Sequence, residues 1–145
     1  MLKPIGPFSM SASASLHCIP PQLAREIWPM VRDRLYAAAR RTDLSHSIDI
    51  ARDVLHGDGV LWLACEGQEI KAAAVTLLTR TDRHLVCLIT ALGGDDMESW
   101  LPLLPQIEDW ARAEGAARVR VMGRPGWARV LKNYDVSNVV LERAL

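Results

Sequence analysis

The chain has 145 residues, enough for one ordinary domain and too few for two. Half of the residues are hydrophobic and 23% are charged, as is usual for a soluble protein with a buried core. The 17 basic residues equal the 17 acidic residues, so the formal net charge is zero. That balance argues against a general nucleic-acid binder, which needs a basic excess, and against a disordered, strongly charged chain.

The charges are unevenly distributed along the chain. Residues 1–40 carry five basic and two acidic side chains, residues 41–114 carry six and thirteen, and residues 115–145 carry six and two. The basic side chains of the last quarter form a cluster without acidic neighbours: Arg118, Arg120, Arg124, Arg129 and Lys132. We interpret this cluster either as a solvated surface or as the contact for the phosphate groups of a ligand or for an acidic protein partner.

Three cysteines, Cys18, Cys65 and Cys87, make an odd number without a CxxC spacing or a metal-ligand pattern. Cys65 and Cys87 lie in apolar runs, where a thiol usually acts as a small core residue. No apolar run reaches the ~18 residues of a membrane span, and the first twenty residues lack the apolar segment of a signal peptide. We therefore expect a cytoplasmic protein without a metal site.

The first forty residues predict a flexible segment followed by a helix. Residues 1–20 are rich in serine, alanine and proline, so we expect a flexible N-terminal segment followed by one domain over residues 21–145. From Pro21 the apolar residues recur at steps of three and four, which predicts a helix to about residue 40 that Pro29 should bend. A second helix is predicted over residues 46–56.

After Gly57 the periodicity changes to that of strands. Residues 60–65, 70–79 and 85–92 predict an antiparallel meander that is apolar on both faces, so helices must cover both sides of it. A long helix follows over about residues 96–114, in which Pro102 is tolerated in the first turns and Pro105 should cause a bend. Residues 117–122 predict a strand, residues 127–132 a short helix, and residues 137–141 a terminal strand.

This order of elements resembles the GNAT superfamily of acyl-CoA-dependent N-acetyltransferases over residues 20–145. The stretch Gly123-Arg-Pro-Gly-Trp-Ala-Arg-Val-Leu, followed by Val139-Val-Leu-Glu, is similar to small GNAT-like proteins encoded by phages and prophages. The resemblance implies an α/β (α+β) fold, with a central, mostly antiparallel mixed sheet flanked by helices on both faces. It also implies acetyl-CoA as acetyl donor, a small-molecule or protein amine as acceptor, and a location in the host cytoplasm or a phage particle.

The resemblance also implies where acetyl-CoA binds. In the family, the fourth strand and the loop after it hold the pantetheine arm and the pyrophosphate. The corresponding region here is residues 89–92 for the pantetheine arm, followed by the loop for the pyrophosphate. A glycine-rich turn between a strand and a helix offers unpaired amides to a phosphate. The cofactor-binding residues implied are Ile89, Ala91, Leu92, Gly93, Gly94 and Asp95.

The loop departs from the family pattern of Arg or Gln, two residues, Gly, any residue, then Gly or Ala. In its two registers, Thr90 or Ala91 stands first and Asp95 or Asp96 stands last. Asp95 and Glu98 also have the spacing of a helix cap, which would occupy the phosphate-binding amides and repel a diphosphate. Two hypotheses therefore remain: an N-acetyltransferase with a degenerate motif, and a non-catalytic GNAT-like binding or assembly protein, such as one associated with a phage virion.

No spacing singles out a catalytic residue. Glu66, Glu69 and Asp82 are equivalent candidates for a general base. Family members often carry a proton-donating tyrosine on the last helix. Tyr134 falls beyond that helical position, and its sequence context favours a half-buried packing role.

Overall fold

The computed structural model describes residues 13–145, and the first twelve residues lie outside that range. Five strands form one sheet in the order β1-β2-β3-β4-β5. The first four strands are antiparallel neighbours, whereas β4 and β5 are parallel. Their bounds are β1 (Ser15–Ile19), β2 (Gly59–Glu66), β3 (Glu69–Arg80), β4 (Leu85–Gly94) and β5 (Arg118–Val121).

Five α-helices accompany the sheet. Their bounds are α1 (Pro21–Thr42), α2 (Ser47–Leu55), α3 (Met97–Trp100), α4 (Leu104–Ala113) and α5 (Trp127–Val130), with one 3-10 turn at Leu101–Leu103. Within the described range, no helix combines the length and apolar character needed to cross a membrane.

Each face of the sheet has its own hydrophobic core. On one face, Leu35 of α1 and Ile50 of α2 share a buried cluster with Leu61 of β2. On the other face, α3 and α4 cover Trp62 of β2 and the alanines Ala72 and Ala74 of β3. The expectation that helices cover both faces is therefore confirmed, together with the predicted mostly antiparallel mixed sheet.

Helix α1 continues through Pro29, which lies on its exposed face. A proline cannot donate to the carbonyl one turn earlier, here that of Arg25. Arg25 is also exposed, so water can satisfy that carbonyl. The buried side chains stay on the opposite face of the helix.

The helix predicted over residues 96–114 is divided into α3, the 3-10 turn and α4. Pro102 lies in the turn and Pro105 in the first turn of α4, and each removes a backbone donor. Proline is tolerated in a first helical turn, so the chain restarts a helix at each of these positions. The prediction of a single helix, bent at Pro105, was therefore wrong.

Residues 15–19 were expected within a flexible segment and instead form β1. The strand pairs with β2 from Ser15↔Cys65 to Ile19↔Leu61. Because β2 is buried on both faces, its outer edge needs a neighbouring strand. Ile19 is buried in the core on one face of the sheet and Leu16 in the core on the other face, so β1 is apolar on both faces.

The strand predicted over residues 137–141 is absent. These residues are exposed and form no regular structure. A β-branched run becomes a strand only when another strand pairs with it, and within residues 13–145 none does so here. The short helix before it is present as α5.

Candidate functional site

Strands β4 and β5 separate part-way along the sheet. Their parallel pairing runs from Val86↔Arg118 to Ile89↔Val121 and ends there. Strand β4 continues to Gly94, paired with β3 on its other side. Within the described residues, no strand pairs with the β5-facing side of residues 90–94. We call these five residues the β4 edge.

The β4 edge begins with a β-bulge. Val75 is opposite Ala91 and Thr76 is opposite Ile89, so Thr90 is the additional residue. The hydroxyl of Thr90 donates a hydrogen bond of 3.3 Å to the carbonyl of Val75. A bulge bends its strand and redirects the backbone, and bulges are frequent beside functional sites.

The side chains of the predicted pantetheine region point away from this opening. Ile89 is buried beside a small apolar cavity under α3 and α4, whereas Ala91 is buried against α1. Leu92 is partly buried on the same face as Ile89. The β4 edge therefore offers mainly backbone N–H and C=O groups, which are suited to an extended ligand that contains amides.

The two glycines at the end of β4 allow close packing on both faces. A Cβ atom at Gly93 would lie 3.0 Å from the carbonyl oxygen of Arg34 in α1. A Cβ atom at Gly94 would lie 2.5 Å from Ala72 and 2.8 Å from the indole nitrogen of Trp100. Both glycines are strand residues paired with β3, so neither lies in a free loop.

Asp95 makes three contacts with its surroundings. Its N–H donates to the carbonyl of Lys71 at 2.8 Å, and its own carbonyl accepts from the indole of Trp100 at 3.0 Å. Its carboxylate accepts from the guanidinium of Arg34 at 3.2 Å, and Arg34 also donates to the carbonyl of Ile70 at 3.0 Å. The backbone N–H of Asp95 is therefore already hydrogen-bonded. The guanidinium of Arg34 in α1 compensates the negative charge of the Asp95 carboxylate.

The predicted helix cap by Asp95 and Glu98 is wrong. The residue before α3 is Asp96, with φ of 53°, and no side chain caps the helix. Arg34 binds the Asp95 carboxylate instead. Lys71 is a second cation in this region. Its Nζ atom lies 3.3 Å from a carboxylate oxygen of Glu69 and 3.9 Å from one of Glu66.

The three candidates for a general base do not lie together: two are at one end of β4 and the third is at the other. Glu66 and Glu69 lie at the same end of the sheet as Gly94, since β3 begins there. Their hydrogen bonding and charge raise the pKa of Lys71, with the Glu69 hydrogen bond as the main cause. Asp82 lies in the turn between β3 and β4, at the opposite end of β4.

Tyr134 lies away from the β4 edge. Its hydroxyl donates a hydrogen bond of 2.6 Å to Glu108 of α4, and it is half-buried beside a cavity that Asp82 also lines. Burial, followed by the hydrogen bond to Glu108, raises the pKa of Tyr134 well above its ordinary value. This geometry matches the packing role expected from the sequence.

Two indoles bring together the segments that follow β4 and β5. The ring centroids of Trp100 in α3 and Trp127 in α5 are 6.4 Å apart. Gly123 allows Trp127 to approach, because a Cβ atom there would overlap the indole ring. The apolar cavity bordered by Leu92 and Trp100 has a volume of about 30 Å³, roughly that of one water molecule. In the described part of the chain, no group of three or more His, Cys, Asp or Glu side chains is placed to hold a metal ion.

No protein-family model matches the sequence, and no curated protein matches it. The structure does resemble solved structures. An aminoglycoside acetyltransferase from an uncultured soil metagenomic sample, in complex with sisomicin, has a TM-score of 0.63 at 13% identity, covering 91% of this chain and 96% of that chain.

Two further structures from other sources are similar. A Trypanosoma brucei acetyltransferase has a TM-score of 0.60 at 12% identity, covering 91% of this chain and 99% of that chain. The tetramutant of the BH1408 protein from Bacillus halodurans has a TM-score of 0.62 at 14% identity, covering 90% and 99%. The chain therefore has the GNAT fold, which confirms the resemblance of its element order. The similarity to phage-encoded proteins and the six cofactor-binding residues stay predictions.

Proposed function

We propose that this protein is an N-acetyltransferase that transfers an acetyl group from acetyl-CoA to an amine. The observation that carries the proposal is the β4 edge, an unpaired strand edge behind a bulge, on a fold shared with acetyltransferases. The amine nitrogen attacks the thioester carbonyl, the C–N bond forms as the C–S bond breaks, and the thiolate takes a proton. Main-chain amides near Ala91 or Leu92 stabilise the oxyanion.

The pantetheine half of the donor fits the β4 edge. Pantetheine carries two amide groups on an extended chain, and an open strand edge binds such a chain through backbone hydrogen bonds. The bulge at Thr90 comes directly after Ile89, the last residue of β4 that pairs with β5, and a bulge bends its strand. The ligand would lie between Trp100 and Trp127, whose contact would have to open.

We assign the diphosphate half to Arg34, because the other nearby cation, Lys71, is paired with Glu69 and Glu66. The amide of Asp95 is occupied, and the carboxylates of Asp95 and Asp96 would repel the phosphates. Arg34 is already at this position, with its side chain 30% exposed, and is held by Asp95, which is 80% exposed. When Arg34 turns from Asp95 to the diphosphate, its planar guanidinium binds both phosphates well.

Calorimetric titration with acetyl-CoA and with S-acetylpantetheine tests both halves. We expect Asp95→Asn to free Arg34 and to tighten acetyl-CoA binding up to about fivefold, because an exposed ion pair contributes at most about 1 kcal/mol. S-acetylpantetheine, which has no diphosphate, should bind both proteins equally. Asp82→Asn, at the other end of β4, is the matched control and should change neither affinity.

The acceptor is tested by mixing acetyl-CoA with a panel of primary amines and measuring the free thiol released. Thiol release that depends on an amine supports the proposal. Failure of both thioesters to bind at millimolar concentration, in a sample that unfolds cooperatively, would reject it.

That failure would favour a second function, a non-catalytic binding or assembly protein with a GNAT fold. The specific observation behind it is the engaged loop: Gly93 packs under α1, the Asp95 amide is bonded to Lys71, and Trp100 touches Trp127. If the donor site lies where the resemblance implies, these contacts would compete with the donor. The cytoplasmic or virion location is part of the same proposal and is tested by fractionation of the producing cells.

A further inference from the structure

A small apolar cavity lies behind the β4 edge, on the face of the sheet that α3 and α4 cover. Its volume is about 30 Å³, and Ile89 and Leu92 of β4 form part of its wall. These two residues stand on either side of the β-bulge. Trp100 of α3 and Ile107 of α4 are the corresponding part of the wall on the helices. The cavity is therefore next to the stretch of β4 that the bulge distorts.

Within the described residues, the side chains around the cavity offer no free hydrogen-bond partner to a water molecule. All of them are Ala, Leu, Ile or Trp. The two indole N–H groups are already engaged, because Trp62 donates to the hydroxyl of Thr76 at 2.9 Å and Trp100 donates to the carbonyl of Asp95 at 3.0 Å. A buried water needs about two to four polar partners. We therefore expect the cavity to be dry and suited to a hydrocarbon group.

The two faces of β4 differ in the space they leave for an acyl chain. The oxyanion amides proposed above belong to Ala91 or Leu92, so the thioester carbonyl would lie beside the bulge. On the α1 face, Ala91 is buried, and a Cβ atom at Gly93 would lie 3.0 Å from the carbonyl oxygen of Arg34. On the other face, the cavity is bordered by Leu92 and by Trp100, which the donor would have to move. The second face has room for carbon atoms beyond the carbonyl.

We propose that the cavity receives the terminal methyl group of a propionyl chain, so that the best donor is propionyl-CoA rather than acetyl-CoA. This inference rests on the proposed function and specifies its acyl donor. A volume of about 30 Å³ is roughly that of one water molecule, which leaves room for one further carbon atom but not for a long chain. The transfer is otherwise unchanged: the amine nitrogen attacks the thioester carbonyl, the C–N bond forms as the C–S bond breaks, and the thiolate takes the proton that the amine loses.

Calorimetric titration with acetyl-CoA, propionyl-CoA and butyryl-CoA measures the fit. We expect propionyl-CoA to bind about fourfold more tightly than acetyl-CoA, which is the effect of burying one methylene group. Butyryl-CoA should bind more weakly than propionyl-CoA, because its last carbon atom exceeds the cavity. If propionyl-CoA is not the tightest of the three, this inference is overturned while the proposed function stands. Failure of all three thioesters to bind rejects the proposed function and this inference with it.

Ile107→Val tests whether the cavity wall sets the length of the acyl chain. The change removes one methyl group from the wall, so butyryl-CoA should become the tightest ligand of the series. Ile50→Val is the matched control, because it removes the same group from a buried isoleucine in the core under α1 and α2. Changes of this kind are among the mildest in a core, so both variants should fold with similar losses in urea unfolding. The control should keep the order of affinities of the parent, and an unchanged order in Ile107→Val would overturn the assignment of the cavity.

Discussion

An added methyl group at Gly94 should destabilise the protein, because three neighbours leave no room for it. A Cβ atom there would lie 2.5 Å from the Cβ of Ala72, 2.7 Å from the carbonyl oxygen of Lys71 and 2.8 Å from the indole nitrogen of Trp100. Overpacking of this kind costs about 1–3 kcal/mol. Displacing the indole also weakens its hydrogen bond to Asp95, worth about 1 kcal/mol.

A gain in strand propensity opposes this cost. Replacing glycine in a strand returns about 0.5–1 kcal/mol, since the unfolded chain loses freedom. We therefore expect Gly94→Ala to lower the free energy of unfolding by about 1–3 kcal/mol. For a chain of this length that is a fall in melting temperature of roughly 2–4 °C per kcal/mol.

Urea unfolding followed by tryptophan fluorescence measures this change as a lower midpoint with an unchanged slope. Gly126→Ala is the matched control, because a Cβ atom there has no neighbour within 4 Å and the backbone φ is −58°. It should be neutral or slightly stabilising. Adding Ala72→Gly to Gly94→Ala removes the nearest atom and should restore part of the loss. Equal stability of Gly94→Ala and Gly126→Ala would refute the steric argument.

Three further predictions concern buried polar groups. Thr76→Val leaves the buried indole N–H of Trp62 without its 2.9 Å partner, so urea unfolding should show a loss of about 1–3 kcal/mol, and a neutral result would contradict this. Burial and then the Glu108 hydrogen bond raise the pKa of Tyr134 above its ordinary 10.0, so its contribution to stability is complete below pH 10.0 and is lost as the pH rises further. Tyr134→Phe should therefore lose less stability than the parent in alkaline urea titrations, and identical curves would exclude the effect. Burial raises the pKa of Cys87 to about 11, so a thiol reagent at neutral pH should label it only in urea; labelling of the folded chain at the rate of a free thiol would show otherwise.

The sequence predicted elements whose pattern is local. The predicted strand 85–92 is β4, which ends two residues later at Gly94, and the predicted helix 46–56 is α2. Apolar periodicity and flanking glycines identify both elements in the sequence. For Pro102 and Pro105 the sequence predicted a tolerated residue and a bend, whereas the helix is interrupted at both.

The candidate site depended on contacts that no local pattern contains. Arg34 and Asp95 are 61 residues apart, and only the packing of α1 across the end of β4 brings them together. The glycines at 93 and 94 suggested a free turn, because their role in close packing is set by Ala72 and α1. Strand β1 was missed because the Ser/Ala run before it resembles a flexible segment, although Leu16 and Ile19 were an available signal.

Each end of β4 carries charges of both signs, and the length of the strand keeps the two groups of charges apart. At the Gly94 end, Asp95 belongs to the acidic middle of the sequence but meets Arg34 from the basic first forty residues. At the other end, Arg118 and Arg120 from the basic last quarter line a groove together with Asp82 and Glu108. Strand β4 has ten residues, so its ends are about 30 Å apart. Salt screens charges over a Debye length of ~10 Å, so charges at the two ends interact only weakly. A charge removed at one end should therefore not be felt at the other. Asp95→Asn should change acetyl-CoA affinity, whereas Asp82→Asn, about one strand length away, should leave it unchanged.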